Sequence, residues 1–282
     1  MSQTNGASGN GASEVESEPL RLGGMALRNG LLIHGPTSWA AAARGDDGEV
    51  HVASGPKPIL APGLTSRVPL LRGPLRLLEA FAVIPVVRTK LPQARLPFET
   101  PRVIVAMVIA GTAGRIIRES AEPTPAREVA AAAVGVVPAL TALADRDLAA
   151  YHGVEHKAIG AYEKGSLDPR DATKEHERCG SNLVAPMLLL SAAGQILIER
   201  TLAKPGPLAR TTVALASMGL AVEMFAWSER NAETALARAY RKPGHQIQRL
   251  VATKEPTEDQ LEVGEAAMAE ILRAEQAPSP GQ

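Results

Sequence analysis

The chain has 282 residues, with 30 Lys+Arg against 30 Asp+Glu, one cysteine, and only three Phe, two Trp and three Tyr in a composition that is 45% hydrophobic. One cysteine excludes an intramolecular disulfide scaffold and suits a reducing compartment, while the balanced charge excludes the basic excess with which nucleic-acid binders neutralise phosphates. The length can bury a sizeable core, and that core must be built from small aliphatics, which suit close helix–helix contact.

Residues 1–19 are Gly, Ser, Asn and Glu with little apolar content, which predicts a disordered tail. They lack the basic start and apolar segment of a signal peptide. Residues 277–282 read as a second tail. Between 20 and 100 the pattern predicts a small N-terminal cytoplasmic part. Leu31, Leu32 and Ile33 form an apolar run ended by Gly35-Pro36, and the runs 39–44 and 49–53 flank the turn Gly45-Asp46-Asp47-Gly48, a β-hairpin signal. Residues 74–90 carry apolar residues at helical spacing behind Pro74, and Pro85 is expected to kink or end that helix.

Four long apolar stretches follow, at 103–114, 129–144, 180–198 and 211–228, the last interrupted only by Glu223. Crossing a bilayer takes roughly 20 residues. The pattern predicts a mainly α fold, a membrane helical bundle of about four spans over 101–228, with a polar loop at 145–180 and a C-terminal cytoplasmic helical segment over 229–276. Its rival is a soluble bundle with helices buried all round. If all four stretches cross, 24 basic residues lie on one side and 6 on the other. The positive-inside rule then makes the chain a multi-pass protein of the cell membrane with most polar segments cytoplasmic. Trp227 ends the fourth stretch, where an interfacial aromatic belongs.

The loop at 145–180 carries the chemistry. With Asp145 or Asp147 as cap and Gly165 as stop, it opens with a helix on which His152 and His156 are one turn apart, so both imidazoles can reach one metal ion. Glu155 lies beside them, completing an H-x-x-E-H order in which a metal acidifies water and a carboxylate takes the proton. His176 and Cys179 follow, three apart, so His152, His156, His176 and Cys179 are the candidate ligands, zinc the candidate ion and Glu155 the candidate general base. Glu223, a carboxylate inside an apolar stretch, is a possible further ligand or proton carrier. His34, His51 and His245 read as structural or surface residues, and Thr257 to Gln260 as the cap of a last helix.

These motifs resemble a known family. LGGMALRNGLLIHGP at 22–36, the PLLRG block at 69–73, YHGVEHK at 151–157, HERCGS at 176–181 and LVATKEP at 250–256 are similar to signatures of the bacterial YqhQ family, a domain of unknown function described as a predicted metal-dependent enzyme. The chain departs from that pattern at Met25, Asn29 and His34, while the His, Glu and Cys positions match. The resemblance implies a membrane protein that binds metal and supplies no substrate. Two functions are expected to compete. One is a membrane-associated, metal-dependent enzyme of hydrolase type; the other is a non-enzymatic membrane scaffold or assembly factor with a closed structural metal.

Overall fold

Short alternating segments rich in Ala, Leu and Ile build four strands, β1 (Gly23–Leu27), β2 (Gly30–His34), β3 (Ser38–Arg44) and β4 (Val50–Pro56), in an antiparallel meander of order β1-β2-β3-β4. The computed structural model describes residues 19–60, 69–120, 124–202 and 205–277, so the expected tails lie outside the described residues except for Pro19 and Ala277. The hairpin expected at 39–53 is present, with Arg44 opposite Val50 and Gly48 at φ +84°, a conformation that glycine adopts without Cβ strain.

Strand alternation sends Leu31, Ile33, Ala40 and Ala42 to one face, against Tyr151, Val154 and Ile159 of α4 (Arg146–Glu163) and Leu261, Met268 and Ile271 of α8 (Glu258–Gln276). Leu32, Trp39 and Ala41 point the other way, onto Val83, Ile84 and Val87 of α1 (Pro69–Lys90). Both faces are therefore covered, which is why β2 is buried throughout. α1 starts earlier than the expected 74–90 and runs through both Pro74 and Pro85. Burial of Val83, Ile84 and Val87 on the sheet carries the helix past the hydrogen bond lost at Pro85.

The long helices are α2 (Pro101–Ser120), α3 (Pro125–Leu143), α5 (Val184–Thr201) and α6 (Pro207–Arg230), with α7 (Ala235–Ile247) between α6 and α8. Among the described residues three apolar windows are long enough to cross a membrane, Ala126–Leu143, Gly180–Thr201 and Pro207–Arg230, rather than about four. The stretch at 103–114 falls short because every 18-residue window of α2 includes at least three of Arg102, Arg115, Arg118 and Glu119. Only 17% of each qualifying window is buried inside the chain, and Leu189 and Leu208 are 70% and 81% exposed. Helices buried all round in a soluble bundle do not look like this.

Charges gather at the two ends of the bundle. At one end Arg127 pairs with Glu128 and Glu199, which in turn hold Arg118 and Arg210, tying α2, α3, α5 and α6 together. At the other, Asp145 caps α4 and pairs with Arg28 of the β1–β2 turn and Arg102 of α2. Burial pushes its carboxyl up, but the Arg28 contact and backbone N–H donors outweigh this and hold it below the usual range.

Candidate metal centre

Asp145 accepts from the N–H groups of Asp147 and Leu148, so α4 starts where the sequence places it, and Gly165 at φ +81° follows its end. On this helix the rings of His152 and His156 lie with centroids 4.4 Å apart. Each is oriented by a backbone carbonyl. His152 Nδ1 lies 2.9 Å from Ala252 O, and His156 Nδ1 lies 2.6 Å from Lys174 O. A carbonyl only accepts, so the proton of each neutral ring sits on Nδ1 and the Nε2 lone pair is left for a ligand.

Cys179 brings the third donor. It stands at the head of the 3-10 turn Gly180–Leu183 that runs into α5, and its Sγ accepts from Ser181 N–H at 3.4 Å, at the end of the helix that favours negative charge. Sγ is 3.5 Å from His152 Nε2. Tetrahedral zinc with ordinary bond lengths puts N and S ligands about 3.6 Å apart. One donor atom each from His152, His156 and Cys179 lies within 4.8 Å of the others, so the three could hold one metal ion. Glu155 is buried beside them, with Oε2 3.9 Å from His152 Nε2. It faces Gly24 of β1, where a Cβ would stand 2.6 Å from Glu155 Cγ, so Gly24 lets the strand close over the carboxylate.

His176 stands apart from the three donors. Its ring centroid is 5.7 Å from that of His156, its Nε2 is 3.1 Å from Glu163 Oε2, and its Nδ1 accepts from Arg178 N–H at 3.3 Å. Glu223 is half-buried on α6 and does not line the cavity of about 200 Å³ that holds His152, Glu155 and Cys179. That cavity adjoins a cleft of about 550 Å³, and His176 and Arg178 line both.

Sequence reasoning missed Glu163, which bonds both His176 and Arg178. Burial would raise its carboxyl, but the hydrogen bond from His176 and the charge and hydrogen bond of Arg178 hold it below the usual range. Its signal was spacing: Glu163 is seven residues after His156, two turns along the same helix face. Gln248 was also missed. Fully buried in a π-turn (Gln248–Ala252), it accepts from His176 N–H at 2.8 Å and donates to Ser181 Oγ at 2.9 Å, holding the two ends of the 176–181 motif. The block at 250–256 packs on α4 because Gly153 has no side chain: a Cβ there would lie 2.3 Å from Lys254 O.

Residues 142–274 match the family described as Protein of unknown function (DUF1385). The chain is 26% identical over 129 residues to the Uncharacterized protein YqhQ of Bacillus subtilis (strain 168), a match that covers 44% of this chain. It spans about 40% of the length of that relative. No solved structure matches the chain. The matched region holds all three candidate ligands, Glu155 and the 250–256 block, so it is over this part that the chain is similar to YqhQ and to a family of unknown function.

Proposed function

We propose that the chain is a membrane-bound, metal-dependent enzyme of hydrolase type, in which His152, His156 and Cys179 hold a divalent ion such as zinc. The observation that carries this reading is the pair of Nδ1 contacts to Ala252 O and Lys174 O, which aim two Nε2 lone pairs toward Cys179 Sγ. Carbonyl partners of this kind orient and strengthen metal-ligating histidines. A bound divalent ion would supply Lewis acidity toward a water or substrate oxygen. Glu155, buried and held under Gly24, is placed to take a proton from a nucleophile in the cavity. Three ligands rather than four favour a catalytic over a closed structural site, since His176 is engaged by Glu163 and the neighbouring Glu155 is left as the base.

The membrane part of the proposal rests on α3, α5 and α6. The sheet packs on α4 and α8, so β4 and the start of α4 share one side, and α3 can cross only if α2 crosses with it as a hairpin. The short apolar segment of α2, packed along α3, is read as that companion. The face carrying the sheet, α4 and the metal centre is assigned to the cytoplasm by the distribution of basic residues. Single cysteines introduced at Arg115 and Glu119 should then react only with reagent added from outside intact cells; labelling only after permeabilisation would reverse the orientation.

Metal analysis of purified full-length protein tests the centre. Wild type is expected to carry close to one equivalent of transition metal, His156→Ala essentially none, and Glu155→Gln the full amount with no complementation of a null strain. Wild type without stoichiometric metal would end the metal reading. Full complementation by Glu155→Gln would restore the structural-metal scaffold.

A further inference from the structure

α7 follows α6 after a short turn and is held against two of the membrane-length helices. Tyr240 OH donates to Ala221 O of α6 at 3.4 Å, and Ser181 Oγ, just before α5, donates to Gly244 O at 3.2 Å. Gly244 is pressed on Asn182 so closely that a Cβ would lie 2.6 Å from its Cα. α7 therefore sits at the level where the windows Gly180–Thr201 and Pro207–Arg230 both end.

At 3.6 residues per turn α7 has three sides. Ala237 and Gly244 are buried against the protein. Leu236, Ala239 and Pro243 fall together on an exposed apolar side, and Arg238, Lys242 and His245 on an exposed basic one. The pattern continues through the π-turn: Gln248 and Ala252 are buried, Arg249 extends the basic side, and Leu250 and Val251 extend the apolar one. Leu236, Leu250 and Val251 are 67%, 63% and 40% exposed, a contiguous apolar strip that water alone does not explain.

The geometry points to α7 and the turn after it as a membrane-surface helix that engages an anionic lipid headgroup layer. Leu236, Leu250 and Val251 enter the acyl boundary, and Arg238, Lys242 and Arg249 meet lipid phosphates. This rests on the reading that α5 and α6 cross the bilayer. Charge complementarity and the position of α7 at the helix ends select lipid over a protein partner. The same helix supplies Arg241 and His245 to the wall of the 550 Å³ cleft, so an engaged lipid stands near the mouth of the cleft that adjoins the metal centre.

Two measurements on the full-length protein test this. In nanodiscs of phosphatidylcholine with phosphatidylglycerol, a photo-crosslinking residue at Leu236 or Leu250 is expected to label lipid, whereas one at the exposed Glu262 of α8 is not. In native mass spectrometry with the two lipids in equal amounts, wild type is expected to retain phosphatidylglycerol at least about tenfold over phosphatidylcholine. The triple variant R238Q/K242Q/R249Q should bring that preference near parity, since each basic residue contributes about fivefold at an anionic surface. Lipid labelling at Leu236 no greater than at Glu262, labelling of a protein instead, or equal retention of both lipids by wild type would each overturn the proposal. Alkaline extraction separates the two readings: release from membranes sinks the crossing of α5 and α6, while retention with any of those results sinks only the role of α7.

Discussion

Gly153→Ala is expected to cost about 3 kcal/mol of stability, the upper end of overpacking penalties, and to weaken metal binding about 10- to 100-fold. The new Cβ would lie 2.3 Å from Lys254 O, a backbone atom that cannot rotate away. Nor can the segment shift freely. Lys254 N–H donates to Ala149 O at 2.9 Å, Thr253 donates to Gln248 O through both N and Oγ1, and Glu255 pairs with Lys157. Any displacement that relieves the clash pulls Ala252 O off His152 Nδ1, freeing a ring whose direction that bond fixes. Unfolding midpoints and metal affinity of the purified variant check this; values matching wild type would mean the segment yields without cost. Gly24→Ala is the informative contrast. Its Cβ meets the flexible side chain of Glu155, so metal content and stability should stay near wild type while Glu155 is displaced.

Acidification from pH 6.5 to pH 4 is expected to remove about 3 kcal/mol of stability through His34 alone, at 1.36 kcal/mol per pH unit. His34 is buried in β2 with neither ring nitrogen hydrogen-bonded, and burial, aided by the charge of Lys57, pushes its pKa down to about 4. The unfolded chain takes up this proton near pH 6.5 and the folded chain only near 4. The contribution is therefore fully present above 6.5, falls away between the two values, and changes no further below 4. Carboxylates held below their usual range, such as Asp145 and Glu163, add acid sensitivity of their own, so the comparison must be with His34→Leu. The variant should lose clearly less stability than wild type between pH 7 and 4.5 in the same detergent. Equal losses would show that His34 takes no part.

Much of this was legible in the sequence because it rests on local rules. The hairpin at 39–53 follows from turn chemistry, the start of α4 from Asp145 as cap, and the His152/His156/Cys179 convergence from helical spacing joined to a second short motif. The division of labour between Cys179 and His176 was not legible, because it depends on Glu163 and Arg178 competing for His176, and no spacing rule ranks a carboxylate partner above a metal. β1 and the cover of Gly24 over Glu155 depend on strand pairing, and the carbonyls that orient the histidines carry no side-chain signature at all. α1 passes Pro85 for a similar reason, since burial on the sheet overrides a local preference.

The bond from His152 to Ala252 spans 100 residues of chain, which sets an order on biosynthesis. His152, His156 and Cys179 leave the ribosome well before the carbonyl that aims His152, and α5, α6 and α7 must be made in between. A nascent chain halted anywhere in that interval holds every donor atom and still lacks an aimed site. On the proposed metal reading, acquisition of an ion would be deferred until the helices are in place and the 250–256 block has docked, so that a loaded centre would certify a finished fold.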